Sequence, residues 1–443
     1  MLCCSDAFAG LWCSMCEPLQ SGAQPHVLLL ATQPWPVGAR LGLAMRSVGF
    51  RVSIWCPRRN TFLRTGAVHQ HHPYRISDPV GTLEAALLAA SPDLIVPCDE
   101  PATANLQQLA ERAMATQRLA PILRAIERSF GSASALMRLT QRAYVLKTAA
   151  EGGAAVPATS ALDTIADLRG WITANGFPAY LKADGTFGGL GVRRIHTYQE
   201  AEAAFHDLLA PPGTVRAVRR MVFEHDPTMV ASAIHRRRSA LSIQHAISGI
   251  DVNSAIFCWQ GRVLASLTMQ VVTVGYEFGP STVLRRIDNS AMDRTAEILA
   301  SRLNLSGFYG LDFILEDQTG IPWLLEMNSR ATQIPHLALG ECHDLPAAAF
   351  AAVTGLPARS RPAVTAEQTI ALFPQEWSRD PASPFLRGAY HDVPWESPAL
   401  VRAYIHQRPE IRRLLTRSYW RHRKQQKSSP ATSVSTSTAS RSS

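Results

Sequence analysis

The segment "YGLDFILEDQTGIPWLLEMNSR" carries two carboxylates and an amide at a spacing suited to holding a cation. Folding it as a hairpin about "DQTG" brings Asp312 to within about one position of opposite Glu326, where cross-strand side chains are neighbours. Strand alternation in "WLLEMNS" sets Leu324, Glu326 and Asn328 on one face and Trp323, Leu325 and Met327 on the other. Two carboxylates meeting mid-hairpin repel one another unless a cation lies between them. Mg2+ suits such a place, because it takes a few oxygen ligands and completes its shell with phosphates and water. Without a cation the same residues read as ordinary carboxylates on a half-exposed sheet.

A second stretch, "AYLKADGTFGGLGVRRI", has the glycines of a phosphate-binding loop with its lysine ahead of them. In a Walker-type loop the lysine follows the last glycine and opens a helix. Here Lys182 ends a strand that enters the loop, and Gly185, Thr186, Gly188, Gly189 and Gly191 follow. Glycines let backbone N–H groups approach phosphate oxygens closely.

Together these features resemble the ATP-grasp superfamily, which includes the D-alanine ligases, biotin carboxylases and carbamoyl-phosphate synthetases. The resemblance runs from about Ala133 to Gly355. It implies an α/β chain in which a Rossmann-like N-terminal domain precedes a two-lobed α+β ATP-grasp domain that holds the nucleotide between its lobes. On that template Lys182 contacts the α- and β-phosphates, the glycine loop closes over them, and Arg142 in "TQRAYVLKTAAEGGAAVP" is the first basic residue to contact ATP. "SIQHAISGIDVNSAIF" resembles the family's hinge. Gln244, His245, Ala246 and Ile247 would offer backbone to adenine and Asp251 would meet the ribose, although the family has glutamate where His245 stands. Asp312, Glu326 and Asn328 would hold Mg2+, with Mn2+ able to substitute, and Arg330 would contact the transferred phosphoryl group or the substrate. Arg285 and Arg286 are candidate anchors for a substrate carboxylate, since guanidinium forks suit carboxylates; alternation turns only one of them toward the site.

The reaction implied is an ADP-forming ligation of a carboxylate to an amine, or to a thiol, through an acyl phosphate. The rival reading is an ATP-grasp protein that binds ATP for regulation or assembly without turnover. Retention of Asp312, Glu326, Asn328 and Arg330 favours the enzyme.

The elements needed to position these groups are legible as alternating strands and helices. "HVLLLAT", "RVSIWCP" and "PDLIVPCDE" read as buried strands of a parallel sheet with helices between them. The absence of G-x-G-x-x-G after the first strand argues against a dinucleotide site there. "HQHHPYR" reads as a solvated loop. "LMRLTQRAYVLKTAAE" reads as one helix, and "LSIQHAIS", "DVNSAIFCWQ", "RVLASLTMQVVTV" and "STVLRRI" as strands. The expected organisation is an N-terminal extension (1–24), the Rossmann-like unit (25–130), the ATP-grasp unit (131–358), an irregular C-terminal wrap (359–410) and a disordered Ser/Thr-rich basic tail (411–443).

The net charge of +9 resides in the C-terminal part, because ten Lys/Arg face one acid from Val401 onward and residues 1–400 are neutral. The basicity therefore describes the tail, which offers a contact for an anionic surface, nucleic acid included. Arg236 to Arg238 read as a solvated turn. No apolar run approaches the roughly 18 residues of a membrane span, and Arg40 is the first basic residue, so a cytoplasmic protein is expected. Cys3, Cys4, Cys13 and Cys16 do not complete a zinc ligand set. Cys56, Cys98, Cys258 and Cys342 read as buried thiols.

Overall fold

The computed structural model describes residues 24–183, 191–210, 240–276, 279–357 and 359–406. The chain begins with β1 (His26–Leu30), α1 (Pro36–Ser47), β2 (Arg51–Cys56), β3 (Gln70–Pro73), α2 (Pro79–Ala90), β4 (Leu94–Pro97), α3 (Glu100–Met114) and α4 (Ala120–Phe130). The four strands form a parallel sheet in the order β3-β2-β1-β4. β1 is buried throughout because both faces are covered. Val27 and Leu29 join a core with α1, while Leu28 and Leu30 join another with α2, α3 and α4. Asp78 and Asp99 cap α2 and α3 by accepting the N–H groups of Gly81 and Ala102.

The histidine-rich segment is an edge strand and not a solvated loop. β3 pairs with β2, His72 is buried, and the His71 ring meets the Cys56 carbonyl through Nε2 at 3.0 Å. The expected single helix over 136–151 is also divided, into α5 (Ala133–Arg138) and α6 (Arg142–Glu151). Gln141 is extended there and stands at the N-cap position of α6 without a side-chain cap, which makes Arg142 its first residue.

A second, antiparallel sheet follows, built from β5 (Thr159–Leu162), β6 (Ala179–Ala183), β7 (Val192–Ile195) and β8 (Leu241–His245) in the order β5-β8-β6-β7. Helices α7 (Ile165–Asn175) and α8 (Tyr198–Leu209) pack on it, with Leu168, Trp171 and Phe205 against Leu181 and Ile243. Alternation turns Lys182 and Gln244 to the opposite face.

Residues 246–248 lead into the largest sheet. Its elements are β9 (Gly249–Trp259), β10 (Arg262–Val274), β11 (Ser281–Arg286), α9 (Ser290–Leu303), β12 (Gly307–Glu316), β13 (Pro322–Asn328), α10 (Leu345–Thr354), β14 (Thr369–Leu372), α11 (Gln375–Arg379), α12 (Phe385–Gly388) and β15 (Tyr390–Asp392). The seven strands run β13-β12-β9-β10-β11-β14-β15, antiparallel apart from β14 beside β15. The segment expected as an irregular wrap thus supplies two strands of the sheet. Its prolines lie between these short elements and leave the strand residues free to pair.

Helices α6 and α9 cover one face of this sheet. On the other, Phe257, Leu267 and Leu284 share one core with Leu29 of β1, Leu41 of α1 and Leu345 of α10. Cys56, Cys98 and Cys258 are free and buried as expected, whereas Cys342 is half-buried and disulfide-bonded. Among the described residues no helix is long and apolar enough to cross a membrane.

Candidate active site

The polar face of the hairpin is set by a β-bulge. β12 and β13 pair Ile314 with Trp323 and Phe313 with Leu324, then skip a residue so that Asp312 faces Glu326 and Gly310 faces Asn328. The extra residue is Leu325. Unbroken alternation would have grouped Leu324 with Glu326, but Leu324 is fully buried against the helical side of the sheet. The bulge therefore re-aims Glu326 and Asn328. Gly310 on the same face lets the loop after β13 approach closely, since a Cβ there would lie 2.2 Å from Cγ2 of Thr332.

Asp312 accepts hydrogen bonds from Nδ2 of Asn253 on β9 at 2.5 Å and from Nδ2 of Asn328 at 2.9 Å. Glu326 accepts from Arg142 at the start of α6, through Nη2 at 2.8 Å and Nε at 3.2 Å. A cation at a helix N-terminus opposes the helix dipole, so Arg142 is held there by Glu326. Burial, and then the adjacent Glu326 carboxylate, push Asp312 well above the usual carboxylate range. Burial also acts to raise Glu326, but Arg142 and then Lys182 outweigh it and hold that group low. Two cross-strand carboxylates so placed share a proton, or a cation that replaces it.

The second sheet brings Lys182 to the same place. Lys182 is 7% exposed, and its Nζ donates to Oε1 of Gln244 at 2.6 Å. Gln244 in turn donates through Nε2 to Oγ1 of Thr159 at 3.2 Å and to the carbonyl of the bulged Leu325 at 3.3 Å. The residue left over by the bulge thus ties the lysine to the hairpin. The third contribution is Arg330, in the loop after β13, which pairs with Glu100 in the first turn of α3. Beside it the Ala331 N–H donates to the Pro97 carbonyl at 2.9 Å.

Arg142, Lys182, Asp312, Glu326 and Asn328 therefore converge, and Arg330 borders them along the chain. Asp251 is exposed, two residues before Asn253 and on the same face of β9. Gln244 enters through its side chain. The N–H groups of His245 and Ala246 donate to the carbonyls of Ala158 at 2.9 Å and Pro178 at 3.0 Å, so any base contact at these two residues would fall to their carbonyls. Gly191 accepts from the Ala183 N–H at 2.9 Å. Gly185, Thr186, Gly188, Gly189 and Arg236 to Arg238 lie outside the described residues, as does the basic tail.

Sheet register decides between the two candidate arginines. Asp312 pairs with Asn253, Asn253 with Met269 and Met269 with Arg286, so Arg286 shares the face of the carboxylates. It stands three strands away, about 14 Å at the usual strand spacing, and donates through Nη1 to the Leu339 carbonyl at 2.9 Å. Arg285 is exposed on the opposite face, which takes it away from the site. Asn253 and Glu100 were not anticipated. Asn253 follows Asp251 at strand period, and Glu100 follows the end of a parallel strand, so each carried a local signal.

The described residues include no group of three or more His, Cys, Asp or Glu side chains able to hold a metal. The set here is two carboxylates and an amide, hard oxygen donors that fit Mg2+ completed by phosphates and water. No family model and no curated protein matches the sequence. Solved structures do match in fold. The biotin carboxylase domain of the Hydrogenobacter thermophilus 2-oxoglutarate carboxylase, in complex with MgADP, ADP and bicarbonate, aligns with a TM-score of 0.54 at 13% identity, over 76% of this chain and 71% of that one. The N5-carboxyaminoimidazole synthetase of Staphylococcus aureus, complexed with ADP, aligns at 0.52 and 13%, over 76% and 79%. The biotin carboxylase of Campylobacter jejuni aligns at 0.52 and 14%, over 76% and 72%. The chain has the ATP-grasp fold. Within this fold the four-stranded sheet carrying Lys182 and the seven-stranded sheet carrying Asp312 and Glu326 are the two surfaces bridged by Gln244.

Proposed function

We propose that the protein is an ATP- and Mg2+-dependent ligase that joins a carboxylate to an amine, or to a thiol, with release of ADP and phosphate. The observation that carries this reading is the convergence of a buried lysine from one sheet on a carboxylate pair from the other. A site that only binds nucleotide has no need of paired carboxylates. Lys182 and Arg142 would take the phosphates, with Arg142 exchanging the Glu326 carboxylate for a phosphate oxygen. The hinge at 244–247 would face the base and Asp251 the ribose, and the Gly185–Gly191 loop would cover the phosphates. Asp312, Glu326 and Asn328 would hold Mg2+, which supplies neutralisation of the phosphate charge.

A carboxylate resists attack by an amine because its leaving group would be oxide. Transfer of the γ-phosphoryl group removes that obstacle: a carboxylate oxygen bonds to phosphorus as the bond to the departing ADP oxygen breaks. The amine then bonds to the acyl carbon, loses a proton, and phosphate leaves. Arg330 would orient the carboxylate, and Lys182 would balance charge on the ADP side. Positioning and electrostatics supply most of the acceleration.

Purified protein given ATP, Mg2+ and a panel of carboxylic acids and amines should form ADP and phosphate only with particular pairs. Glu326→Gln should lower that turnover by about 100-fold or more, the scale for losing one preorganised electrostatic group. AMP as the product would overturn the acyl-phosphate route. Tight ATP binding with no turnover across the panel would favour a regulatory binder.

A further inference from the structure

The neutral sum over residues 1–400 conceals an uneven distribution of charge. From Gln24 to Ser77 the chain has seven arginines, no lysine and no acidic residue. Arg40 is buried against Asp392, whereas Arg58, Arg59, Arg64 and Arg75 are exposed and form no ion pair among the described residues. β2 and β3 run parallel with Cys56 opposite Pro73, and the Tyr74 N–H donates to the Cys56 carbonyl at 3.0 Å. The chain leaves both strands at this end. Arg58 and Arg59 stand in the turn closed by the Asn60 N–H on the Pro57 carbonyl at 3.0 Å, and Arg75 directly follows Tyr74. Asn60 then opens the short 3-10 turn Thr61–Arg64 by accepting the Phe62 N–H at 3.0 Å. With neighbouring strands about 4.8 Å apart, the four arginines share one corner of the parallel sheet. The nearest acid in sequence, Asp78, is occupied by the Gly81 N–H at 3.0 Å.

The basic run of the C-terminal sequence starts from the same corner. Residues 398–406 are helical and Tyr404 is buried; its hydroxyl donates to the Pro36 carbonyl at 3.4 Å and is hydrogen-bonded to the Thr61 side chain. From His406 the sequence continues with eight Lys/Arg against one acid as far as Lys427. Like charges gathered without counterions make a field that draws a polyanion. We infer that this corner of the parallel sheet is a docking surface for the phosphate backbone of nucleic acid. Every basic charge of the corner is an arginine, whose planar fork pairs bidentately with phosphate. An anionic membrane fits less well, since no large apolar side chain is exposed between Gln24 and Leu87 to enter lipid. No Phe, Tyr or Trp is exposed in that range for a base to stack on, so the contacts are with phosphates and carry no sequence preference. The corner lies on the β2–β3 side of the sheet, whereas Glu100 meets Arg330 after β4 at the other edge. It therefore stands or falls independently of the ligase reading.

The test titrates the full chain into a fluorescein-labelled DNA duplex of mixed sequence and reads binding by fluorescence anisotropy from about 50 to 200 mM salt. Log affinity should fall linearly with log salt, and a second duplex of unrelated sequence should bind equally well. The combined variant Arg58→Gln, Arg59→Gln, Arg64→Gln and Arg75→Gln keeps the whole C-terminal run, yet it should reduce the salt slope by about 3 to 4. Lysine at the same four positions should keep most of the slope, because counterion release follows charge. If the glutamine variant does not fold, the four single substitutions should each reduce the slope by about one. The inference fails if the wild-type chain leaves the duplex unbound at the lowest salt, or if the glutamine substitutions keep the full slope. It fails equally if the lysine variant loses as much slope as the glutamine one, or if phosphatidylserine vesicles are bound and the duplex is not.

Discussion

Asn253 shows how a neutral side chain can govern a charged one. Its amide supports the Asp312 carboxylate, which burial and Glu326 otherwise push toward the protonated form. Groups that orient a metal ligand are typically worth 10–100-fold in metal affinity. Asn253→Leu should accordingly raise the Mg2+ concentration for half-maximal ADP formation by about 10–100-fold, with the melting midpoint of the free protein little changed. A Mg2+ dependence that does not move would show that Asp312 is not a metal ligand. At this scale much was legible. Lys182, Asp312, Glu326 and Asn328 were singled out from short stretches, because hairpin pairing and the order of lysine and glycines are local properties, whereas Arg142 came from the resemblance to the ATP-grasp superfamily. Asn253 was missed because its importance comes from pairing with β12, a strand more than fifty residues further along the chain.

The bulge at Leu325 is an element's property, and alternation alone cannot place it. A regular ladder would set Leu325 opposite Asp312 and send Glu326 toward the core, so the single skipped residue gives the hairpin its polar face. The Leu325 carbonyl then receives Gln244, which holds Lys182. Deleting Leu325 should leave a continuous ladder with Glu326 still opposite Asp312, while removing the acceptor that joins the two sheets. A neutral hydrogen bond contributes about 0.5–1.5 kcal/mol, so the KM for ATP should rise about 2- to 10-fold with Mg2+ dependence retained. Loss of Mg2+ dependence in that variant would mean that the Asp312–Glu326 register alone does not place Glu326 for the metal. The division of α5 from α6 is similar: "LMRLTQRAYVLK" has helical periodicity throughout, and the break is stabilised by a distant partner, Glu326, that meets Arg142 at the new helix start.

Across the whole molecule, one core joins residues of the first parallel sheet with residues of the large sheet and of the segment after it. The segment after residue 358 was read as a wrap because prolines dominate it, yet β14 joins β11 and β15 joins β14, pairings that no local pattern announces. β15 also carries Asp392 back to the N-terminal unit. Asp392 is 3% exposed, pairs with Arg40 of α1 and accepts from Nε2 of His336 at 2.8 Å. Burial alone would raise its pKa, but Arg40 and then His336 outweigh burial and hold the carboxyl below its ordinary value. A carboxylate lowered in the folded state stabilises the fold above the unfolded value, about 3.9. That contribution is lost as pH falls through the folded value. Removing one partner of a buried pair costs about 3–5 kcal/mol, since the other charge stays buried. Asp392→Leu should therefore lower the unfolding free energy at pH 7 by about that amount and flatten the acid limb of the stability profile below about pH 4. Because Leu29, Leu41, Leu267 and Leu345 share one core, the variant should still unfold in one transition by both fluorescence and circular dichroism. Two separated transitions would show that the parallel sheet and the large sheet fold independently despite their common core.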